Sequence, residues 1–329
     1  NKYTPTKKTE DLKEYFNISS DDEAALIVDN ELSDYKAKII DKKIYVDYKF
    51  VHDSLNSRFY WDANENVLLY TTASDIISAA ADSNSYSVTK QTNDFGYPIV
   101  KATSDSALIA LDYVKQYSNI TFKSYDDPAR IVITSKWDEI DSATVSNSTQ
   151  VRVKGGIKSP ILKEVKKDDK ITILDSGDKW DKIATEDGVI GYIKGKALSE
   201  SKKTKLTNPD YEEETFTHIK KDKDICLAWN QVTSQSANSK VPQVISSTKG
   251  INVMSPTWFY LNDNNGNLAD IASKDYVSYC HSQGIEVWGL FSNFENTDVD
   301  AAYVLTHTST RTTPVSYTHL RAHETEADL

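Results

Sequence analysis

Tryptophan and small polar residues recur together at the ends of three apolar runs in the C-terminal third of the chain. The runs are ICLAW (225–229), INVMSPTWFYL (251–261) and IEVWGLFS (285–292). Continuous apolar runs of this kind are typical of strands buried on both faces of a parallel sheet. The residues at their ends that could contact a ligand are Trp229, Asn230, Ser255, Trp258, Trp288 and Asn293. Indole rings cover the apolar faces of sugars while amides and hydroxyls bond the sugar hydroxyls, so the set predicts a carbohydrate-binding site; Trp288 could alternatively be core.

Residues that could bind a metal are few. His52 is the only imidazole between residues 41 and 135, a stretch without Cys, and one imidazole cannot form a first-row metal site. His319 and His323 are four residues apart, which could align two imidazoles on one face of a helix. The sequence predicts no metal and no other cofactor.

Composition excludes several classes of function. The 329 residues are 39% hydrophobic and 10% aromatic, which indicates a folded chain. With 38 Lys and Arg against 49 Asp and Glu, the net charge of −11 argues against nucleic-acid binding. The sequence contains no run of about 18 apolar residues, so it predicts no membrane span. Cys226 and Cys280 could form one disulfide or be two unrelated thiols.

The three apolar runs alternate with helical patterns over residues 223–312. SKDYVSYCHSQG (273–284) predicts a helix with Ser273 as N-cap and Gly284 just past its end. The runs start 26 and 34 residues apart, a spacing that fits (β/α) repeats, in which binding and chemistry lie at the carboxyl ends of the strands. We therefore predict the first strands and helices of a (β/α)8 barrel.

The stretch GINVMSPTWF (250–259) resembles the start of a glycoside hydrolase family 18 barrel. The resemblance implies hydrolysis of β-1,4 links beside N-acetylated sugars, with one Glu protonating the leaving oxygen and the acetamide of the substrate acting as nucleophile. The catalytic motif of that family, D-x-x-D-x-D-x-E, is absent, because TDVDAAY (297–303) has neither the spacing nor the Glu. No catalytic residue is assigned.

The N-terminal half contains a repeat. Residues 1–40 form a polar segment with one strand candidate, AALIVDN (24–30), and residues 41–135 contain two copies of a strand–helix–hairpin pattern. The copies are 42–72 and 97–135.

Each copy has a predicted helix, one ending near Leu55 and the other spanning Ser104–Tyr117. The unit resembles the copper amine oxidase N-terminal-like domain of bacterial surface proteins, a module that binds no copper. Its conspicuous aromatic residues could be hairpin core or an exposed face for a glycan or partner; they are Phe59, Tyr60 and Trp61.

Residues 151–199 contain five short strand candidates separated by turn signals, which predicts a small β-barrel. The segment resembles bacterial SH3 domains, in which Trp180 and the Gly191–Tyr192 step recur. The resemblance implies binding to cell-wall peptide or glycan, with Trp180 and Tyr192 as candidates that could instead be core, or alternatively a simple spacer. Residues 200–222, polar and with Pro209, predict a linker.

The last residues differ in composition. No Lys follows Lys274, and the final 23 residues hold three of the six His. PVSYTHLRAHET (314–325) resembles a translated sequencing adapter, so we expect 313–329 to be an artefact tail. Because the chain starts at Asn1 without a signal peptide, we also expect any export signal or anchor to lie outside it.

The sequence thus predicts a multidomain chain with α+β strand–helix–hairpin repeats, a small SH3-like β-barrel and a truncated (β/α) TIM-barrel fragment. The resemblances imply a fragment of a secreted or cell-surface glycosidase that acts on β-1,4-linked N-acetylglucosamine polymers such as peptidoglycan or chitin. A non-catalytic protein that binds cell-wall glycan or peptidoglycan is the alternative, and an inactive barrel that binds sugar is a third hypothesis. Without the catalytic motif, this chain is expected to be inactive.

Overall fold

The structure, a computed structural model, describes residues 4–217 and 220–316. Contacts divide the chain into two units, one formed by 1–61 with 68–215 and the other by 62–67 with 216–329. Both units mix sheets with short helices. Every sheet in the described part of the chain has two outer strands, so the small β-barrel predicted for 151–199 does not close there, while the (β/α) segment was predicted only as a truncated barrel.

The strands, in chain order, are β1 (Glu23–Val28), β2 (Glu31–Ile40), β3 (Lys43–Asp47), β4 (Tyr60–Asp62), β5 (Val67–Thr71), β6 (Ile76–Ala80), β7 (Ser85–Val88), β8 (Gln91–Asp94), β9 (Val100–Ala102), β10 (Ala107–Ala110), β11 (Thr121–Tyr125), β12 (Arg130–Thr134), β13 (Glu139–Thr144), β14 (Thr149–Arg152), β15 (Ile161–Val165), β16 (Lys170–Asp175), β17 (Trp180–Thr185), β18 (Ile190–Lys194), β19 (Lys202–Lys205), β20 (Leu227–Asn230), β21 (Val253–Pro256), β22 (Phe259–Leu261), β23 (Leu268–Asp270), β24 (Glu286–Val287) and β25 (Phe291–Ser292). The helices are α1 (Leu12–Tyr15), α2 (Tyr48–Phe50), α3 (Leu111–Gln116), α4 (Val241–Ser246), α5 (Lys274–Ser282) and α6 (Ala301–Thr306). Tighter or wider helical turns occupy Val51–Leu55, Gly195–Ala197 and Gln235–Lys240.

The first sheet has the strand order β11-β12-β1-β2-β3-β10-β9 and is built around the predicted strand in AALIVDN. In β1, Ala24 and Leu26 belong to one hydrophobic core, while Ala25 and Ile27 belong to a second. This strand is apolar at consecutive positions because both of its faces are covered. The polar N-terminal segment therefore supplies a central strand of the unit.

The repeat differs from its prediction in the second copy. The predicted helix Ser104–Tyr117 is instead strand β10 followed by α3. Ala107–Ala110 pairs with β3 on one side and β9 on the other, so tertiary pairing overrides the helical propensity of this stretch. In the first copy the helical turn ends at Leu55, as predicted.

The first hairpin alternates in burial. Phe59 and Trp61 are in the core and Tyr60 is exposed, which confirms the core interpretation for the first two and not for Tyr60. Strands β4 to β8 form a five-stranded sheet in sequence order.

The second sheet has the order β15-β14-β18-β17-β16-β13-β19, and all its pairs are antiparallel. It is larger than the small barrel predicted for 151–199, because Glu139–Thr144 pairs with both β16 and β19. Its core includes Phe16 and Ile27 from the N-terminal segment. The segment is therefore not packed as a separate closed barrel.

The predicted linker 200–222 is in part ordered against the first unit. Lys202–Lys205 forms β19, and Asn208 donates to the side-chain oxygen of Asn119 over 2.9 Å. Glu214 accepts from the guanidinium of Arg58 over 2.6 Å. The segment is rich in charged residues because its strand, at the edge of the second sheet, and the loop after that strand are exposed to solvent.

In the second unit, β20, β21 and β24 form the predicted parallel sheet in that order. A second small sheet has the order β23-β22-β25. Helix α5 starts as predicted, since the hydroxyl of Ser273 accepts from the backbone N–H of Tyr276 over 3.3 Å. Gly284 follows the helix with φ of +71°, a conformation that favours glycine. The predicted tail 313–329 lies outside the described residues from 317 onward.

Candidate functional site

The parallel register brings three of the predicted site residues into one line. Trp229 is the partner of Ser255, and Met254 is the partner of Val287, so Trp288 follows in register beside Ser255. The backbone N–H of Trp288 donates to the backbone carbonyl of Met254 over 2.9 Å, which continues this alignment. We call Trp229, Ser255 and Trp288 the tryptophan row; with strands about 4.8 Å apart, the two tryptophans start about 9.6 Å from one another.

The tryptophan row lies on the face of the sheet opposite the one that packs against the helices, and on this face the middle strand β21 is itself buried. The residues of the other face, Ala228, Met254 and Val287, pack in the core of the unit. Trp229 is 77% exposed and Trp288 is 39% exposed, whereas Ser255 between them is buried. Two accessible indoles therefore flank a small polar residue.

A carboxylate that the sequence did not single out orients one of these indoles. The Nε1 of Trp288 donates to Oε2 of Glu286 over 3.2 Å, and Lys221 forms an ion pair with the same oxygen over 3.0 Å. The hydrogen bond from Lys221 is the main reason that the pKa of Glu286 lies below its ordinary value. Glu286 is thus ionised at neutral pH and is a poor proton donor. Its position at the start of β24, two residues before Trp288 and therefore on the same side of an extended chain, is the signal that could have found it.

Trp258 lies elsewhere than predicted. It is 4% exposed, its Nε1 donates to Oδ1 of Asn238 over 2.8 Å, and its ring meets that of Tyr276 edge-on at 5.0 Å. Strand β21 ends at Pro256, and the chain turns before β22, which carries this indole into the core. The side chain stabilises the unit and does not line the exposed face.

The two predicted amides also separate from the tryptophan row. The side chain of Asn230 donates to the hydroxyl of Tyr276 over 2.8 Å and so faces helix α5. Burial raises the pKa of Tyr276 to about 12, so this hydroxyl stays neutral. Asn293 is exposed and follows β25, beside the buried Ser292.

The two aromatic residues predicted to bind cell wall are neighbours in the second sheet. Trp180 is the register partner of Lys194, and Tyr192 is the partner of Lys182. Both rings are partly buried over Gly155, where a Cβ atom would come within 3.1 Å of the Trp180 Cβ and 3.6 Å of a Tyr192 ring carbon. A side chain at this position would therefore have to displace the Trp180 side chain by a few tenths of an ångström, and glycine avoids this crowding.

Other candidate chemistry is sparse. Within 4–217 and 220–316, no three His, Cys, Asp or Glu side chains group as a metal site would require, and no helix is long and apolar enough to cross a membrane. Cys226 is exposed and Cys280 is buried, and they form no disulfide. The pair His319 and His323 falls outside the described residues.

No protein-family model and no curated protein matches the chain. Among solved structures it is similar to NlpC1 and NlpC2 from Trichomonas vaginalis, with 16% and 17% identity and a TM-score of 0.18 in each case. Each match covers 43% of this chain and 44% or 46% of the other, so the chain spans less than half of those proteins. A TM-score this low carries no argument about fold or function. The resemblances to family 18, to SH3 domains and to the copper amine oxidase module rest on sequence motifs alone.

Proposed function

We propose that the chain binds β-1,4-linked N-acetylglucosamine polymers of a bacterial envelope and is part of a glycosidase resembling family 18. In this proposal, residues 223–312 are the opening strands and helices of the (β/α) barrel, and the protein is secreted or at the cell surface. The observation that carries the proposal is the tryptophan row.

The tryptophan row is chemically complementary to a chain of sugars. Trp229 and Trp288 offer apolar ring faces to the C–H faces of sugars, and the buried Ser255 lies between them. Because Trp229 is 77% exposed without a ligand, stacking would bury apolar area that now contacts water. The ionised Glu286 can accept a hydrogen bond from a sugar hydroxyl or amide beside the same face.

A non-catalytic wall-binding protein is the second candidate function. It is favoured by the close approach of Trp180 and Tyr192 over Gly155 in the second sheet. An inactive barrel that retains sugar binding is a variant of the first proposal, since no acid from the catalytic motif is present in the chain.

The test is binding of a soluble N-acetylglucosamine oligomer to the whole chain by isothermal titration calorimetry. Trp229→Ala removes one stacking ring and is expected to weaken binding by more than about fivefold, the equivalent of about 1 kcal/mol. Because this side chain is exposed, the free energy of unfolding should change by no more than about 0.5 kcal/mol.

Phe294→Ala is the matched control, because Phe294 is 72% exposed in the same unit but lies six residues beyond Trp288. Its dissociation constant should equal that of the wild type. Absence of binding by the wild type, or equal loss in both variants, would contradict a specific site at the tryptophan row.

A further inference from the structure

Strands β17 and β18 carry an alternating pattern of aromatic and basic residues on one face. Trp180 of β17 pairs with Lys194 of β18, and Lys182 of β17 pairs with Tyr192 of β18. Each cross-strand pair therefore joins one aromatic and one basic residue. We call these four residues the aromatic–lysine face. The Nζ of Lys194 lies 5.8 Å from the centre of the Trp180 ring, close enough for a cation–π contact.

The aromatic–lysine face points away from the core. Alternate residues of the same strands, including Ile183 and Ile193, are fully buried in the core of the second sheet. Successive side chains of a strand point to opposite faces, so the four residues lie on the outer one. Diagonal neighbours on such a face, such as Lys182 and Lys194, lie about 7–8 Å apart.

The charge of this segment is opposite to that of the chain. Residues 151–198 contain eleven Lys and Arg against eight Asp and Glu, a net charge of +3 in a chain of −11. Lys163 in the same segment forms an ion pair with Asp187 over 2.6 Å, but no ion pair with a described carboxylate engages Lys182 or Lys194. Asp175 is the register partner of Lys182 without forming such a pair. Neither ammonium group is therefore neutralised by a described carboxylate, although Lys194 also contacts the Trp180 ring.

We propose that the aromatic–lysine face binds an acidic polysaccharide, a chain of sugars that bear carboxylates. Sugar rings would pack on Trp180 and Tyr192 while carboxylates pair with Lys182 and Lys194. A polymer of higher charge density, such as a nucleic acid or a polyphosphate, is disfavoured because the rest of the chain is strongly negative and would repel it.

This inference rests on the wall-binding role proposed for Trp180 and Tyr192 and names the ligand class. It does not depend on the tryptophan row, which belongs to the other unit and is proposed to bind a neutral glycan.

The test uses the whole chain with polygalacturonate as the acidic probe and dextran as the neutral one, measured by affinity gel electrophoresis. We expect retardation by polygalacturonate only. The double variant Lys182→Gln/Lys194→Gln should weaken it about tenfold, because each charge-assisted contact contributes a factor of a few. Rising salt should weaken the binding of the wild type as well.

Lys166→Gln/Lys167→Gln is the matched control, since it removes the same charge from exposed positions off this face. It should retain wild-type binding within about twofold, because screened charges at a distance contribute little. Equal loss in both double variants, or equal retardation by polyphosphate, would reduce the effect to non-specific anion binding and overturn the proposal.

If the chain binds dextran or the neutral N-acetylglucosamine oligomer, and if Trp180→Ala abolishes that binding, the acidic-ligand proposal is also overturned. The same face would then have a neutral wall-binding role. Loss of oligomer binding only in Trp229→Ala would instead leave the acidic-ligand proposal intact. The failures of the two proposals are thus distinguishable.

Discussion

The two units use apolar strands in different ways. In the first, β1 is covered on both faces, and the residues of its two faces belong to two separate cores. In the second, β20, β21 and β24 are covered by helices on one face, while the other carries an indole that is 77% exposed. Similar apolar runs in the sequence are therefore covered on both faces in the first unit, whereas in the second unit only the middle strand β21 is buried throughout and the outer strands end in exposed indoles.

The difference shows what completes a sheet. The second sheet of the first unit extends beyond its sequence motif by recruiting β13 and β19 at one side and Phe16 from the N-terminal segment for its core. The parallel sheet of the second unit has only three strands among the described residues, and both outer strands leave backbone groups without a strand partner. Sheets of both units keep two outer strands, and the units differ in how many strands each sheet recruits.

The largest effect should come from isolating residues 151–198. We expect this fragment to be unfolded, because it lacks β13, β19 and the N-terminal residues that complete its core. A fragment of residues 4–215 retains all of these and should unfold cooperatively. Circular dichroism with thermal melting measures both; a cooperative melt of the 151–198 fragment would mean that it is an autonomous barrel after all.

A buried ion pair within the first unit should give the next largest effect. Arg130 and Asp187 form it over 2.6 Å, with side-chain exposures of 6% and 16%. Asp187→Ala leaves a buried guanidinium without its partner and should reduce the free energy of unfolding by about 3–5 kcal/mol in urea denaturation. Glu186→Gln is the control, since its pair with Lys123 is more than 60% exposed on both sides and should contribute no more than about 1 kcal/mol.

The pH dependence of this pair has a defined sign. Burial alone would raise the pKa of Asp187, but hydrogen bonds from Lys163 and Thr185 together with the charges of Lys163 and Arg130 lower it below its ordinary value. Its contribution to stability is therefore complete above the unfolded-state pKa of about 3.9 and is lost as pH falls through the lower folded-state pKa. Wild type and Asp187→Ala should converge in stability at acid pH; a constant gap would assign the effect to packing instead.

Local patterns predicted local structure well. The apolar runs located β20, β21 and β24, and the Ser273 cap located the start of α5, because strand burial and helix capping depend on adjacent residues. The pattern of Ala107–Ala110 predicts a helix because it does not reveal the pairing with β3, which lies far away in the sequence; the other partner, β9, is a local hairpin neighbour. A sequence pattern of a few residues cannot predict pairing between strands that are distant in the sequence.

The candidate site was predictable in part for the same reason. The residue types at the strand ends identified Trp229 and Trp288, but the register that aligns them joins strands 59 residues apart. Trp258 belongs to the same apolar run as Ser255, and only the turn after Pro256 separates their environments. A continuous apolar run in the sequence does not indicate where a strand ends.

The smallest expected effect is on hydrolysis, where the chain should show none. The catalytic motif is absent from the sequence, and Glu286, the carboxylate hydrogen-bonded to Trp288, has a lowered pKa and is ionised at neutral pH. General-acid assistance of about 10²–10⁴-fold is therefore missing. Release of chromophore from a chromogenic N-acetylglucosaminide should equal the buffer blank for both the wild type and Glu286→Gln. Turnover that disappears in Glu286→Gln would make this carboxylate the acid and would place catalysis, as well as binding, beside the tryptophan row.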